Sequence, residues 1–438
     1  MTEQVPARYV SAADREVFAD AVVDMLAGIG PALLPVAGPE LPSDAHPTVP
    51  SGVDVVIETS GSSGIPKRIA HSRHALLHSA RATERVLGGP GTWLSALPGN
   101  YIAGLQVLVR SHLAGTTPAY LPPGSFDPAV FEAHARLMFT RALGRRYVSL
   151  VPAQVQRVLD HSNVLAEFDA VLVGGQAIPE PLRERARAAG VNLVRTYGAS
   201  ETGGGCVYDG VPLPGVSAAI VAGEIRLSGP LLALGYLAAD GTWDSTRTDA
   251  AFVFDDDRGS AEHELQILPA SPVTSASANL GAYEPRPESE VGMPTPAEST
   301  PAGSIRYLDS TGSVVHRALR TGDTGEIVDG VLSVHGRIDN VLISGGINVS
   351  LDRIDQVVRT AGLEDAVAVA APDERWGQVP VVFTAQPDPD PEGRLERLRA
   401  ACAAQIGREA RPRAIIELTQ MPLLASGKPD RRALAARI

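Results

Sequence analysis

Cysteine is nearly absent: Cys206 and Cys402 are the two in a chain of 438 residues. They lie far apart and without CxxC spacing, which excludes a disulfide framework and a cysteine zinc site and fits a reducing cytoplasm. Positive charge is also scarce. With 38 Lys and Arg against 50 Asp and Glu, the net charge is −12, so the chain lacks the basic surface that nucleic-acid backbones require. No stretch approaches the roughly 18 apolar residues of a membrane span. The nearest, LQVLVRSHLAG, is broken by Arg110 and His112. The first residues, MTEQVPARYVSAADREVF, carry acidic groups where an export signal needs a cationic start. No internal repeat is visible. What remains is 44% hydrophobic and 20% charged, the composition of a folded globular protein at a length that one hydrophobic core does not serve. Two domains are expected.

The pattern along the chain is that of an α/β protein. Residues 53–58 (VDVVIE) read as a short strand, followed by a turn-rich loop and then a stretch, 72–87, with Leu76, Leu77, Ala80 and Val86 at helical spacing. FDAVLVGG (168–175) and VNLVRTYG (191–198) are β-rich runs separated by the amphipathic segment EPLRERARAAG. That βαβ unit implies a parallel sheet. From about 216 shorter hairpin-like strands follow, turning at Ala222-Gly223 and Asp329-Gly330. The last hundred residues alternate a helix (351–361), strands (366–371 and 380–385), a second helix (394–407) and a strand (413–418), as in a small α+β domain. Between Phe254 and Arg306 the chain opens with Asp255, Asp256 and Asp257, is dense in Ser, Pro, Ala and Glu, and has Tyr283 as its single aromatic. Such a stretch cannot bury enough apolar surface to offset its ordering entropy. A disordered surface insertion over about 255–305 is expected.

The loop ETSGSSGIPK gathers four hydroxyl side chains (Thr59, Ser60, Ser62, Ser63), two glycines (Gly61, Gly64) and Lys67. Backbone amides opened by glycine, hydroxyl donors and a lysine together suit a triphosphate. The GxxxxGK[ST] loop is excluded, because the glycine spacing differs and no Ser or Thr follows the lysine. A flexible Ser/Gly linker is the plainer alternative, but linkers rarely sit between a β-rich run and a helix.

This loop resembles the TSG[ST]TGxPKG motif of the adenylate-forming superfamily, which comprises acyl- and aryl-CoA ligases, luciferases and the adenylation domains of peptide synthetases; Arg68 replaces the final glycine. Further matches follow in the family's order: TYGASETGG (196–204), RTGDTGEI (320–327) with GRIDNVLISGGINV (336–349), and LLASGKPDRRAL (423–434). The resemblance implies a large N-terminal domain, 1–337, with a parallel sheet and a β-rich subdomain, and a small mobile α+β domain, 338–438, hinged at Asp339. It also implies that residues 59–64 and Lys67 grip the outer phosphates of ATP, that Tyr197, beside Gly198, stacks on adenine, and that Gly174, Gly175 and Gln176 line the adenine and acyl pockets. Ser200 would bind the α-phosphate and Glu201 would hold Mg2+. Asp323 would take the ribose hydroxyls and Arg337 the ribose or phosphate. Lys428 would bridge the carboxylate and α-phosphate during adenylation, completing a catalytic set with Ser200 and Glu201. Gly345 and Gly346 would pack on the pantetheine arm of CoA, with Ser344 where the family often has lysine. The chemistry is coherent, since in-line displacement at phosphorus needs a cation on the leaving pyrophosphate and donors aimed at the developing charge.

Within that superfamily the chain is most similar to the short o-succinylbenzoate–CoA ligases of menaquinone synthesis. LPGNYIAGLQVLVRSHLAG (97–115), FDAVLVGGQAIP and YGASETGGGCVYDGVPLPGV carry the similarity, together with a phosphate loop so near residue 1 that a shortened front is expected. Those enzymes join 2-succinylbenzoate, ATP and CoA into a thioester, releasing AMP and diphosphate. The subgroup commonly has a histidine near 100–101, where this chain has the acyl-site candidates Asn100 and Tyr101. His71, His74 and His78 recur at i, i+3 and i+7 and read as a solvated helical face, because no acidic partner completes a metal set. Two other readings share the motifs: an enzyme that loads a carrier protein, and a nucleotide-binding protein without turnover, which the presence of Glu201 and Lys428 disfavours. A homodimer is left open.

Overall fold

The computed structural model describes residues 3–42, 47–59, 66–142, 144–256, 266–268, 307–308, 314–423 and 429–438. Among them the strands form four sheets. The first sheet orders Gly235–Leu237, Lys67–His71, Val55–Thr59, Ala32–Val36, Gln4–Ser11 and Thr48–Pro50 side by side. Val55–Thr59 runs antiparallel to Lys67–His71, with Thr59 opposite Lys67. The order strand, loop, helix is therefore corrected to strand, loop, strand, helix. Ile69, Ala70 and His71 are fully buried, and Lys67–His71 finds backbone partners on both sides. Burial and ladder bonding outweigh the turn-like chemistry of the residues before it. The helix Arg73–Val86 starts only afterwards, capped by the Ser72 hydroxyl accepting from the Ala75 N–H.

The central sheet runs Val211–Pro212, Gly204–Tyr208, Leu193–Ala199, Ala170–Val173, Arg145–Leu150, Gly91–Ser95 and Ala119–Tyr120. From Leu193–Ala199 to Ala119–Tyr120 every pairing is parallel, including the expected βαβ unit around the helix Glu180–Ala188. One face packs Leu94, Val148, Val171 and Val173 against Phe131 and Val155. The other sets Trp93, Tyr147, Leu172 and Cys206 in a second core. Burial on both faces accounts for the unbroken apolar runs in these strands.

The third sheet is antiparallel and centres on the long strand Val314–Val328, which pairs with Glu224–Ser228, Phe252–Asp256 and Val331–Arg337. Its two hairpin turns lie where expected. Ala222 and Gly223 have φ of 51° and 79°, and Asp329 and Gly330 have 50° and 81°, the left-handed pair that two-residue hairpins favour. Most of the expected insertion over 255–305 lies outside the described residues; within it, Asp255 and Asp256 complete Phe252–Asp256, and Gln266–Leu268 pairs with Ser217–Val221.

The C-terminal sheet contains Ile347–Ser350, Val341–Ser344, Gly377–Thr384 and Val367–Asp373, with Ala414–Glu417 parallel to Gly377–Thr384. Helices Leu351–Thr360 and Pro391–Gln405 cover it. Its two cores draw on residues from Leu342 onward alone, as an independent small domain requires. Among the described residues no helix is long and apolar enough to cross a membrane.

Candidate functional site

Gly174, Gly175, Gln176, Tyr197, Gly198, Ser200 and Glu201 lie at or just beyond the C-terminal ends of two neighbouring parallel strands, Ala170–Val173 and Leu193–Ala199, the usual place for ligands in open α/β sheets. Gly174 follows Ala170–Val173 so closely that a Cβ there would lie 2.3 Å from Thr196 Oγ1; the absence of a side chain lets two strand ends converge. Gly175 (φ +80°) and Gln176 continue along the exposed rim. Beyond Tyr197 and Gly198, residues Ser200–Thr202 form one tight turn. Thr202 Oγ1 accepts from the Ala199 N–H at 2.8 Å, and Gln106 Nε2 donates to the Gly203 carbonyl at 2.9 Å. These bonds hold Ser200 and Glu201 at the mouth of the sheet.

A second set comes from the antiparallel sheet. The Tyr197 hydroxyl donates to Asp323 Oδ2 at 2.8 Å. Asp323 sits in a bend held by Thr321, whose hydroxyl donates to Ile225 O at 2.7 Å and accepts from the Asp323 N–H at 3.0 Å. Buried Glu224 accepts from the Gly322 N–H at 3.1 Å and from Arg320 Nε at 3.0 Å. Arg337 lies 3.6 Å from Asp323 and donates to both oxygens of Asp339, at 3.0 and 3.2 Å. Burial pushes the Asp323 carboxyl up, against the hydrogen bond from Tyr197 and the charge of Arg337. Asp339 is held below the usual carboxylate range, chiefly by the Arg337 hydrogen bonds and further by the charge of Lys67.

Lys67 Nζ lies 3.9 Å from Glu201 Oε1, and the Tyr236 hydroxyl donates to the same oxygen at 2.6 Å. Two contact groups thus result, Lys67 with Glu201 and Tyr236, and Tyr197 with Asp323, Arg337 and Asp339, with Lys67 close enough for its charge to act on Asp339. Among the described residues no group of three or more His, Cys, Asp or Glu could hold a metal ion by itself. A lone carboxylate such as Glu201 nevertheless fits Mg2+, which usually binds one or two carboxylates together with substrate phosphates.

Asn100 and Tyr101 precede the helix Ile102–Leu113, the same helix that carries Gln106 to the Ser200–Thr202 turn. Asn100 Oδ1 is buried with no hydrogen-bond partner, a group that a ligand or water would satisfy. Gly345 and Gly346 lie elsewhere, turning the hairpin between Val341–Ser344 and Ile347–Ser350 at φ +58° and +84°. The close approach at Gly345 is to the Trp376 ring, and Ser344 is buried. Ser60, Gly61, Ser62, Ser63, Gly64 and Lys428 lie outside the described residues.

The expectation of a solvated histidine face is corrected. His71 is not on the helix but ends the strand Lys67–His71, fully buried, and burial pulls its imidazole down to about 4. The Ser200 main chain weakly favours the charged ring, although neither ring nitrogen makes a hydrogen bond of good geometry. His78 is half-buried, its Nε2 3.3 Å from Pro214 O. Sequence reasoning missed Gln106, Glu224 and Tyr236. A glutamate two residues beyond the Ala222 turn, inside a strand pattern, was the one available signal for Glu224; Gln106 and Tyr236 stand in apolar runs that read as core.

Comparison with known proteins identifies the family. The model of the AMP-binding enzyme family matches residues 11–237, and that of the AMP-binding enzyme C-terminal domain matches residues 355–428. A Mycobacterium tuberculosis protein named "Probable 2-succinylbenzoate–CoA ligase" is 35% identical over 391 residues, covering 88% of this chain and 84% of its own. The 2-succinylbenzoate–CoA ligase of Lactococcus lactis is 24% identical over 407 residues, covering 87% and 70%. Among solved structures, o-succinylbenzoate CoA synthetase from Bacillus subtilis shares the fold. Its complex with the acyl-adenylate intermediate OSB-AMP has a TM-score of 0.62 at 20% identity, covering 95% of this chain and 80% of the other. Its complex with ATP and a magnesium ion has a TM-score of 0.62 at 19% identity, covering 96% and 82%. With the family model matched across the first sheet and the parallel strands, and 35% identity sustained over 88% of its length, the chain belongs to the family of AMP-binding enzymes.

Proposed function

We propose that this chain is an AMP-forming acid–thiol ligase that converts 2-succinylbenzoate, ATP and CoA into 2-succinylbenzoyl-CoA, AMP and diphosphate through an acyl-adenylate, a step of menaquinone synthesis carried out in the cytoplasm. The observation that carries this reading is the pairing of residues from separate motifs, Lys67 beside Glu201 and Tyr197 beside Asp323 and Arg337, with the charge of Lys67 reaching Asp339. The named activity of the relatives supplies the acid.

A carboxylate is a poor electrophile until its oxygen carries a good leaving group, and adenylation provides one. In our assignment Lys67 and the loop over 59–64 bind the outer phosphates, Ser200 donates to the α-phosphate, and Tyr197, Gly175 and Gln176 enclose adenine. Asp323 accepts from the ribose hydroxyls with Arg337 beside it. Glu201 would hold Mg2+ together with the phosphates, and the ion when bound neutralises charge on the departing pyrophosphate. Lys428 joins the carboxylate to the α-phosphate, and a swing of residues 338–438 about Asp339 then brings Gly345 and Gly346 to the pantetheine arm. Asn100, Tyr101 and Gly174 face the acid.

ATP- and CoA-dependent AMP release, measured across a panel of aryl and alkyl acids, tests the proposal. Turnover is expected to be fastest with 2-succinylbenzoate. No rate above background with that acid overturns the assignment, and turnover with a phosphopantetheinyl protein but not with free CoA overturns the thiol.

A further inference from the structure

Tyr236 stands at the edge of the site with no role so far. Its strand, Gly235–Leu237, pairs with Lys67–His71 and sets Tyr236 opposite Ile69. The residue is held firmly: its N–H donates to Thr248 Oγ1 at 3.0 Å, and its ring is 2% exposed and packs 6.1 Å from Phe252. Glu201 is tied to the same edge through its carbonyl, which accepts from the Ala233 N–H at 2.8 Å. The phenol therefore reaches Glu201 Oε1 from a fixed position.

Lys67 addresses the same oxygen, but at 3.9 Å and from a side chain 37% exposed, a geometry worth little. Once triphosphate is bound, that ammonium has a stronger partner elsewhere. The Tyr236 hydroxyl at 2.6 Å is then the donor that stays. Among the described residues no hydrogen bond is made to Oε2. The carboxylate is thus held by one oxygen and presents the other.

We propose that Tyr236 is a positioning residue for the cation: its hydroxyl fixes Glu201 by Oε1 so that Oε2 faces the Mg2+ that accompanies ATP. This deepens the assignment of Glu201 as metal ligand and rests on it. Partners that orient a metal ligand typically contribute about 10- to 100-fold in affinity.

The test uses the full chain with Tyr236→Phe and Glu201→Gln. Binding of Mn2+ in the presence of ATP is followed by loss of the free-ion EPR signal, with no turnover needed. Tyr236→Phe is expected to weaken Mn2+ binding about tenfold and to raise the Mg2+ concentration for half-maximal pyrophosphate release by a similar factor, while the Michaelis constant for the acid is unmoved. If Tyr236→Phe binds Mn2+ as the wild type does while Glu201→Gln binds it weakly, the positioning role is wrong. If Glu201→Gln also binds normally, the assignment of Glu201 itself falls. Should a melting scan show Tyr236→Phe unfolded, p-fluorophenylalanine at position 236 keeps the ring's size without the donor and is judged by the same outcomes.

Discussion

Tyr197 and Asp323 are 126 residues apart in the chain and share one hydrogen bond, 2.8 Å from the phenol oxygen to Oδ2. It joins the end of a parallel strand to a bend in an antiparallel one, and so sets where the two sheets meet. The Asp323 carboxylate carries that bond on one oxygen and faces Arg337 with the other.

Asp323→Ala is expected to raise the Michaelis constant for ATP by roughly 10- to 100-fold, since a hydrogen bond to a charged group is worth about 1.5–3 kcal/mol. Tyr197→Phe keeps the ring and is expected to cost less than about tenfold. The pH dependence has a definite sign. Burial raises the Asp323 carboxyl, so the group protonates earlier than an ordinary aspartate as pH falls, and ribose binding, which needs the carboxylate, weakens with it. The same raised value means that the folded state binds this proton more tightly than the unfolded one, so the group's contribution to stability is greatest at low pH and is lost as pH rises through the native value. Initial-rate measurements of pyrophosphate release against ATP and pH check both; an ATP constant unmoved by Asp323→Ala removes the ribose role.

Glu224→Ala leaves the Gly322 N–H and the Arg320 guanidinium without their buried acceptor. A loss of about 1.5–3 kcal/mol in stability is expected, with a raised Michaelis constant for ATP because the bend that carries Asp323 loosens. Urea unfolding and ATP kinetics on one preparation read the two effects. Lower stability with unchanged ATP kinetics would confine Glu224 to holding the hairpin.

Lys428→Ala and Asp339→Pro should separate the two half-reactions. The first is expected to depress adenylation by several orders of magnitude while preformed acyl-adenylate is still converted to thioester. The second stiffens the hinge and should spare adenylation but slow thioester formation. Equal losses in both half-reactions for Lys428→Ala, or unimpaired thioester formation for Asp339→Pro, would show these roles misassigned.

His71 should make stability acid-sensitive. Its imidazole drops from 6.5 to about 4 on folding, so the unfolded chain takes up a proton that the folded chain refuses. Stability is full above about pH 6.5 and declines towards pH 4, by on the order of 3 kcal/mol for this group. Melting temperature against pH should fall more gently over that window for His71→Gln than for the wild type. Parallel curves would mean that another group carries the acid sensitivity.

Turns, motifs and the small C-terminal domain were legible in the residues because each depends on neighbours in the chain. Ala222-Gly223 and Asp329-Gly330 declare hairpins through local backbone preference, and the helix-and-strand alternation after residue 350 needs only its own periodicity. Lys67, Glu201 and Asp323 likewise stand out as candidates through their motifs alone. Lys67–His71 was misread because five residues beside a glycine- and serine-rich loop show no strand signal until Val55–Thr59 and the distant Gly235–Leu237 close on them. The same holds for His71, which becomes a core residue only once that strand exists. Tyr236, Glu224 and Gln106 act through partners remote in sequence, and no local pattern specifies a hydrogen bond between segments that folding alone brings together. The sequence by itself determined which groups are candidates for the chemistry; the tertiary structure decided which side chains hold them in place, because orientation depends on packing between strands that are far apart in the chain.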